Sequence, residues 1–340
     1  MEIFKTIKKL NKYNIYIMKF NMKYIIVILF LMLLSILYNR YKKKYHADDE
    51  LSQFPLVKKY LLNEDNKLSG KPILWVHTKY NVNSRQWKDF KSRNTKNLNQ
   101  KYLELCVEGI VKFCSKSFNV CLINDDSFSN LIPNWNIEMN RLSEPKLSHI
   151  RDLGLAKILY NYGGMLMPNS VIMLKDVKEL WEDKISKKSM FVCEMVARNV
   201  ISEKTRFYPS RKLMGCKKKC KHMLEYINKL EWLITNDNSN MMDFSGKIDG
   251  ELYSMVLDGK CGLIDGKKFG IKTKDDDPIL IDDLMNATYK PLEVELYGLY
   301  IPNDELLSRT KYNWFVKLNR HEIYNANTLA SKYFVISHGR

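Results

Sequence analysis

A strand–helix–strand alternation between residues 72 and 123 constrains this chain more than any other feature. Pro72-Ile-Leu-Trp-Val-His77 is a short apolar run opened by proline, the pattern of a buried strand. Leu103, Val107, Ile110, Val111 and Cys114 then recur at helical spacing. Phe118-Asn-Val-Cys-Leu-Ile123 is a second apolar run, and it ends abruptly in Asn124-Asp125-Asp126-Ser127. Two apolar strands joined through a helix predict a parallel βαβ unit, because parallel neighbours need a long crossover. Ligands of such sheets gather at the carboxyl ends of the strands. His77, Asn124, Asp125 and Asp126 are therefore expected beside a cleft, with helix capping as the other role open to Asp126 and Ser127.

The pattern continues downstream. Ile150, Leu153, Ala156 and Leu159 predict a helix from Ser148 to Asn161, stopped by Tyr162-Gly163-Gly164 because glycine fits a left-handed cap. Met165–Met167 and Val171–Leu174 read as strands, interrupted by Pro168-Asn169-Ser170. Beyond them a helix from Asp176 to Trp181, a strand at Met190–Cys193 and a long amphipathic helix from Lys212 to Ile234 are expected. A short helix at Glu251–Leu257 and a late strand at Tyr333–Ser337 complete the reading. Asn81–Gln100 is polar and reads as a loop. With no repeat and no long Pro/Gly/Ser linker, residues 71–340 are expected to form one α/β domain.

The amino-terminal segment is of another kind. Tyr24 to Tyr38 carries no charge. A span normally takes ~17–25 residues; Met22 extends this run, and Lys23 can snorkel to the interface. Tyr24 and Tyr38 stand where interfacial aromatics belong. Tyr38-Asn-Arg-Tyr41 and the lysines after it make a poor cleavage site, so residues 24–38 are expected to be an uncleaved, single-pass transmembrane anchor. A basic tail (1–23) precedes it and a polar stalk (39–70) follows.

The net charge of +17 is concentrated here: ten basic residues precede residue 46, opposed by Glu2 alone. Lysines flanking a membrane segment bind anionic headgroups, so a membrane is the expected partner and nucleic acid is not. Six of these bases precede the span and four follow it, which favours a lumenal domain. Asn286-Ala-Thr288 would then be a glycosylation acceptor. The seven cysteines are irregularly spaced, and Cys216-Lys-Lys-Lys-Cys220-Lys-His222 lacks the second ligand pair of a structural zinc site.

The stretch from Asp152 through Tyr162-Gly163-Gly164 to Pro168-Asn-Ser170 resembles the centre of the family 32 and toxin-type retaining glycosyltransferases. Their pattern is an Asp, an Arg three residues later, Tyr-Gly-Gly, and then two Asp one residue apart. The resemblance implies a Rossmann-like A-type glycosyltransferase domain behind the anchor, acting on or binding nucleotide sugars and a glycan acceptor. It implies a nucleotide-sugar site that includes His77, Asp125, Asp152, Gly163, Gly164, Asn169 and Ser170. The chain is also similar, more faintly, to single-span proteins of large DNA viruses.

The departures fall on the chemistry. A diphosphate is ordinarily neutralised by Mn²⁺ or Mg²⁺ held by hard carboxylate oxygens. Here the paired acids become Pro168 and Ser170, and the Arg becomes Leu155. The expected metal-ligand positions are lost, leaving two readings: transfer with relocated or metal-independent chemistry, or a non-catalytic binding protein of the same fold. Asp125, Asp126, Glu194 and Asp275–Asp277 are the carboxylates that could substitute.

Overall fold

A computed structural model describes residues 32–36, 70–78, 100–236 and 240–339. The chain separates into two units, Met1–Phe54 and Pro55–Arg340. Of the first, residues 32–36 are helical, with Met32, Leu33, Leu34 and Ile36 exposed. Among the described residues no helix is long and apolar enough to cross a membrane. Most of the expected span 24–38, and the expected loop 81–99, lie outside the described residues.

The second unit is built on a six-stranded mixed sheet. The predicted βαβ unit forms: β1 (Ile73–His77) and β2 (Asn119–Ile123) pair in parallel, connected through α1 (Lys101–Cys114). A short helix α2 (Ser127–Leu131) follows β2, and Asn124, not Asp126, caps it by accepting from the Ser127 amide at 3.1 Å. The helix α3 (Lys146–Tyr162) returns the chain to β3 (Gly164–Pro168), which pairs with β1 in parallel. Across β6 (Phe207–Cys216) and β5 (Met190–Val196) the sheet turns antiparallel, and β7 (Gly262–Ile264) closes it parallel to β5. The strand order is β2-β1-β3-β6-β5-β7.

After Pro168 the chain leaves this sheet. Asn169 and Ser170 turn it into β4 (Val171–Met173), which pairs antiparallel with β8 (Gly298–Tyr300) in a separate two-stranded sheet. One core lies on the large sheet, around Leu74, Val120, Met165 and Phe191. A second, around Tyr102, Leu105, Leu299 and Phe315, joins α1 and the small sheet to the carboxyl-terminal helices. Thus α1 serves both, with Ile110 and Cys114 in the first and Leu103 and Cys106 in the second.

Three expectations require correction. The helix expected from Lys212 begins only at Lys221: residues 207–216 are β6, held between two neighbours, and α5 is Lys221–Asn236. Its true stripe is Met223, Tyr226, Ile227, Leu230 and Leu233, while Leu213 to Cys216 are buried as strand. The short helix at Glu251 is the second half of α6 (Met241–Leu257), whose start Asn240 caps by accepting from the Met242 and Asp243 amides at 3.0 Å. Tyr333–Ser337 is helical, within α11 (Leu329–His338). Ala330, Phe334 and Ser337 are buried at helical spacing, and Thr328 caps the start. Burial along one face overrides the strand preference of the aromatic and β-branched residues there.

Candidate functional site

The carboxyl ends of β1, β2 and β3 open on one edge of the sheet, and a cleft lies there. It consists of two adjoining cavities of about 170 and 260 Å³. Arg211, Lys212, Tyr300 and Asp304 line both. His77, Asp152, Asn169 and Ser170 line the smaller one, together with Arg151, which sequence reasoning missed.

The other three expected residues lie behind the cleft. Asp125 binds Arg151 through both oxygens, at 2.8 and 2.7 Å, and His77 Nε2 at 2.9 Å. Burial by itself raises the Asp125 carboxyl; the Arg151 hydrogen bonds, and then His77, override this and hold it well below the usual carboxylate range. Asp125 therefore fixes two cleft side chains and itself lines neither cavity. His77 also stacks on Phe128, with ring centroids 5.7 Å apart. Gly163 and Gly164 do not border the cleft. The Gly163 carbonyl accepts from Trp75 Nε1 at 2.9 Å, and both glycines have positive φ, 72° and 98°. A Cβ on Gly164 would stand 2.3 Å from the Ile73 oxygen, so the glycine permits β3 to lie against β1.

The wall between the cavities comes from an irregularity in β6. Val192 pairs with Met214, but the next residue of β5, Cys193, pairs with Ser210. Arg211, Lys212 and Leu213 are thereby looped out of the β5 ladder. Such a bulge re-aims side chains. Arg211 Nε meets Asp152 at 2.6 Å and its Nη1 meets Asp249 at 3.1 Å. Burial opposes the Arg211 charge, and Asp152 and Asp249 more than offset it. Asp249 is buried, accepts from Asn199 at 2.6 Å, and is pushed up to about 6, chiefly by that burial against the opposing pull of Arg211. Lys212 Nζ reaches the Tyr300 hydroxyl at 3.4 Å and Asp304 at 3.3 Å. Its side chain is 45 % exposed.

The residues present do not fit a hard dication. Pro168 has no donor atom. Ser170 is buried and its hydroxyl donates to the Ile301 carbonyl at 2.7 Å, while Ile301 N donates back to the Ser170 carbonyl. Of the candidate substitute acids, Asp125, Asp126, Glu194 and Asp276 are engaged by other side chains. Glu194 binds Lys272 at 2.7 Å and the Gly266 amide. Asp276 binds Lys267 and Lys272 in a turn. Asp126 is contacted by Asn124. Asp152 is committed to Arg211. Among the described residues no group of three or more His, Cys, Asp or Glu is arranged to hold a metal ion. A Ser170→Asp change, the sequence-level route to restoring the pattern, would instead break the bond to Ile301 and bury a carboxylate.

Sequence reasoning missed Arg211 and Lys212 because it placed Lys212 in a helix. It missed Tyr300, Asn303 and Asp304 because no motif marks them; β8 and α8 (Asn303–Ser308) bring them in. Their signal is weak: a pair of bases set between the aromatic Phe207-Tyr208 and the apolar Leu213-Met214.

No family model matches the chain, and no curated protein matches it. Two solved structures align with it. The galactosyltransferase LgtC in complex with donor and acceptor sugar analogues is 9% identical at a TM-score of 0.37, covering 78% of this chain and 95% of that one. The PaToxG glycosyltransferase is 11% identical at a TM-score of 0.33, covering 87% of this chain and 97% of that one.

Proposed function

We propose that this chain is a membrane-anchored, glycosyltransferase-like protein that takes a nucleotide sugar into the cleft at the carboxyl edge of β1, β2 and β3. The observation that carries the reading is the convergence there of His77, Asp152, Asn169 and Ser170, four of the seven residues that the resemblance implies for a nucleotide-sugar site; Asp152 matches the pattern, while Ser170 stands where the pattern has an acid. Mixed α/β topology with its parallel strands ending at the cleft agrees with this. The test is a panel of nucleoside-diphosphate sugars against the full chain in detergent, read by melting temperature. At least one is expected to raise it, and Asp152→Ala to weaken that ligand about tenfold, the scale of one charged hydrogen bond. A panel without a single stabilising sugar nucleotide rejects the proposal.

A second reading, a non-catalytic binding protein of this fold, is favoured by one feature. The carboxylates on or directly behind the smaller cavity are paired with cations: Asp125 with Arg151, Asp152 with Arg211 and Asp304 with Lys212. None is left ionised and unpaired to deprotonate an acceptor hydroxyl. Release of free nucleoside diphosphate from the bound ligand separates the two readings.

The anchor belongs to the proposal. Full-length protein is expected in the membrane fraction after carbonate extraction, because transfer of the run Tyr24–Leu37 to lipid is strongly favoured. Recovery in the soluble fraction overturns that part. With the domain lumenal, Asn286 is an accessible acceptor: it is exposed, and its side-chain oxygen accepts from the Ala287 amide at 2.7 Å.

A further inference from the structure

We propose that Lys212 supplies, from the chain itself, the positive charge for a diphosphate in this cleft, so that nucleotide binding needs no divalent cation. The inference rests on the nucleotide-sugar reading above and deepens it. A diphosphate brings about two to three negative charges into a cleft partly removed from water, and something positive must meet them. The turn after β3, where the resembling pattern has two carboxylates, offers Pro168 and a hydroxyl already donated to Ile301.

Lys212 stands beside that turn. Tyr300, which its ammonium contacts, is the backbone partner of Val171, the residue following Ser170. The bulge in β6 puts Lys212 on the boundary of both cavities, where a ligand extending from one into the other must pass it. Arg211 cannot substitute, since its charge is spent on Asp152 and Asp249. Arg151 is likewise held by both oxygens of Asp125. The contacts of Lys212 are of a different kind. Both lie at 3.3–3.4 Å, both partners stand on the cleft wall, and Asp304 is 60 % exposed. An ammonium has three donors on a flexible stem and can turn them to phosphate oxygens with little rearrangement.

The experiment uses the full chain in detergent, with UDP and GDP as probes and either EDTA or Mn²⁺ present. At least one nucleotide is expected to bind with the same affinity in both buffers, and inorganic pyrophosphate to displace it. Lys212→Met is expected to weaken binding about 10- to 100-fold with an unchanged melting temperature, and Lys212→Arg to restore most of it. Binding that appears only with Mn²⁺ overturns the inference while leaving the nucleotide-sugar reading intact. So does cation-independent binding that Lys212→Met leaves unaltered. Binding of neither nucleotide in either buffer overturns both.

Discussion

Alanine at position 164 is expected to cost on the order of 3–5 kcal/mol, the upper end for a single substitution. Two causes act together. At a φ of 98° an L side chain is strained whatever surrounds it. The new Cβ would also lie 2.3 Å from the Ile73 carbonyl oxygen, which is backbone in the neighbouring strand and cannot step aside. Relief requires β3 to move off β1, and the carboxyl edge that carries His77 and Pro168 moves with it. Gly250 is the internal control. It lies within α6, and nothing stands within 4 Å of the position its Cβ would take. Gly250→Ala is expected to be stabilising by up to about 1 kcal/mol through helix propensity alone. Chemical denaturation of the two variants checks the contrast; similar midpoints would refute the packing role given to Gly164.

The second large effect is expected at Arg211. Arg211→Met keeps the length and apolar stem but leaves Asp152 and Asp249 facing each other without the charge between them. Removing one partner of a buried ion pair costs about 3–5 kcal/mol, because the remaining charge is uncompensated. The loss should depend on pH in a definite sense. Asp249 already sits above its ordinary range, at about 6 in the folded chain, so its contribution is fully present below pH ~4 and is lost as pH rises through about 6. Without Arg211 its folded value climbs further, and the loss continues to higher pH. The variant is therefore expected to fall further behind the parent at pH 7.5 than at pH 5. An equal deficit in melting temperature at both pH values would count against the charge argument and leave only lost packing.

Much of the scaffold was legible in the sequence because its elements are locally self-consistent. β1, β2 and β3 are apolar runs of strand length, and α1 and α3 carry apolar residues at helical spacing that are buried. His77, Asn169 and Ser170 could be placed because they sit at or just beyond the ends of strands, and Asp152 because it lies on the first half of α3, which packs beside them. Gly163 and Gly164 show the limit of a motif: Gly163 ends α3 as its spacing implies, but what Gly164 serves is strand packing, visible only once Ile73 and Trp75 lie alongside. β6 was not legible, since its form depends on pairing with β5 on one side and β3 on the other, and the bulge is a shift in the β5 register between Val192 and Cys193 that no local pattern marks. Without the bulge, Arg211 and Lys212 carry no local mark. α11 failed for the opposite reason: local propensity argued for a strand, and burial of Ala330 and Phe334 decided for a helix.

The two-stranded sheet has a consequence for how the molecule comes into being. Every strand of the large sheet lies before residue 265, but β4 waits for β8, and Ser337 reaches back to donate to the Met173 carbonyl at 2.6 Å. On a growing chain the six-stranded sheet has all its parts well before the far wall of the cleft has been translated. During that interval α1 shows Tyr102, Leu105 and Cys106 to solvent, because the helices that cover them come last. Such a surface is what holdase chaperones bind and what drives association between unfinished chains. Pairings this distant in sequence also form slowly. Scaffold and cleft thus have separate times of birth, and quality control that samples the chain between them would meet the large sheet without the wall formed by Tyr300, Asn303 and Asp304.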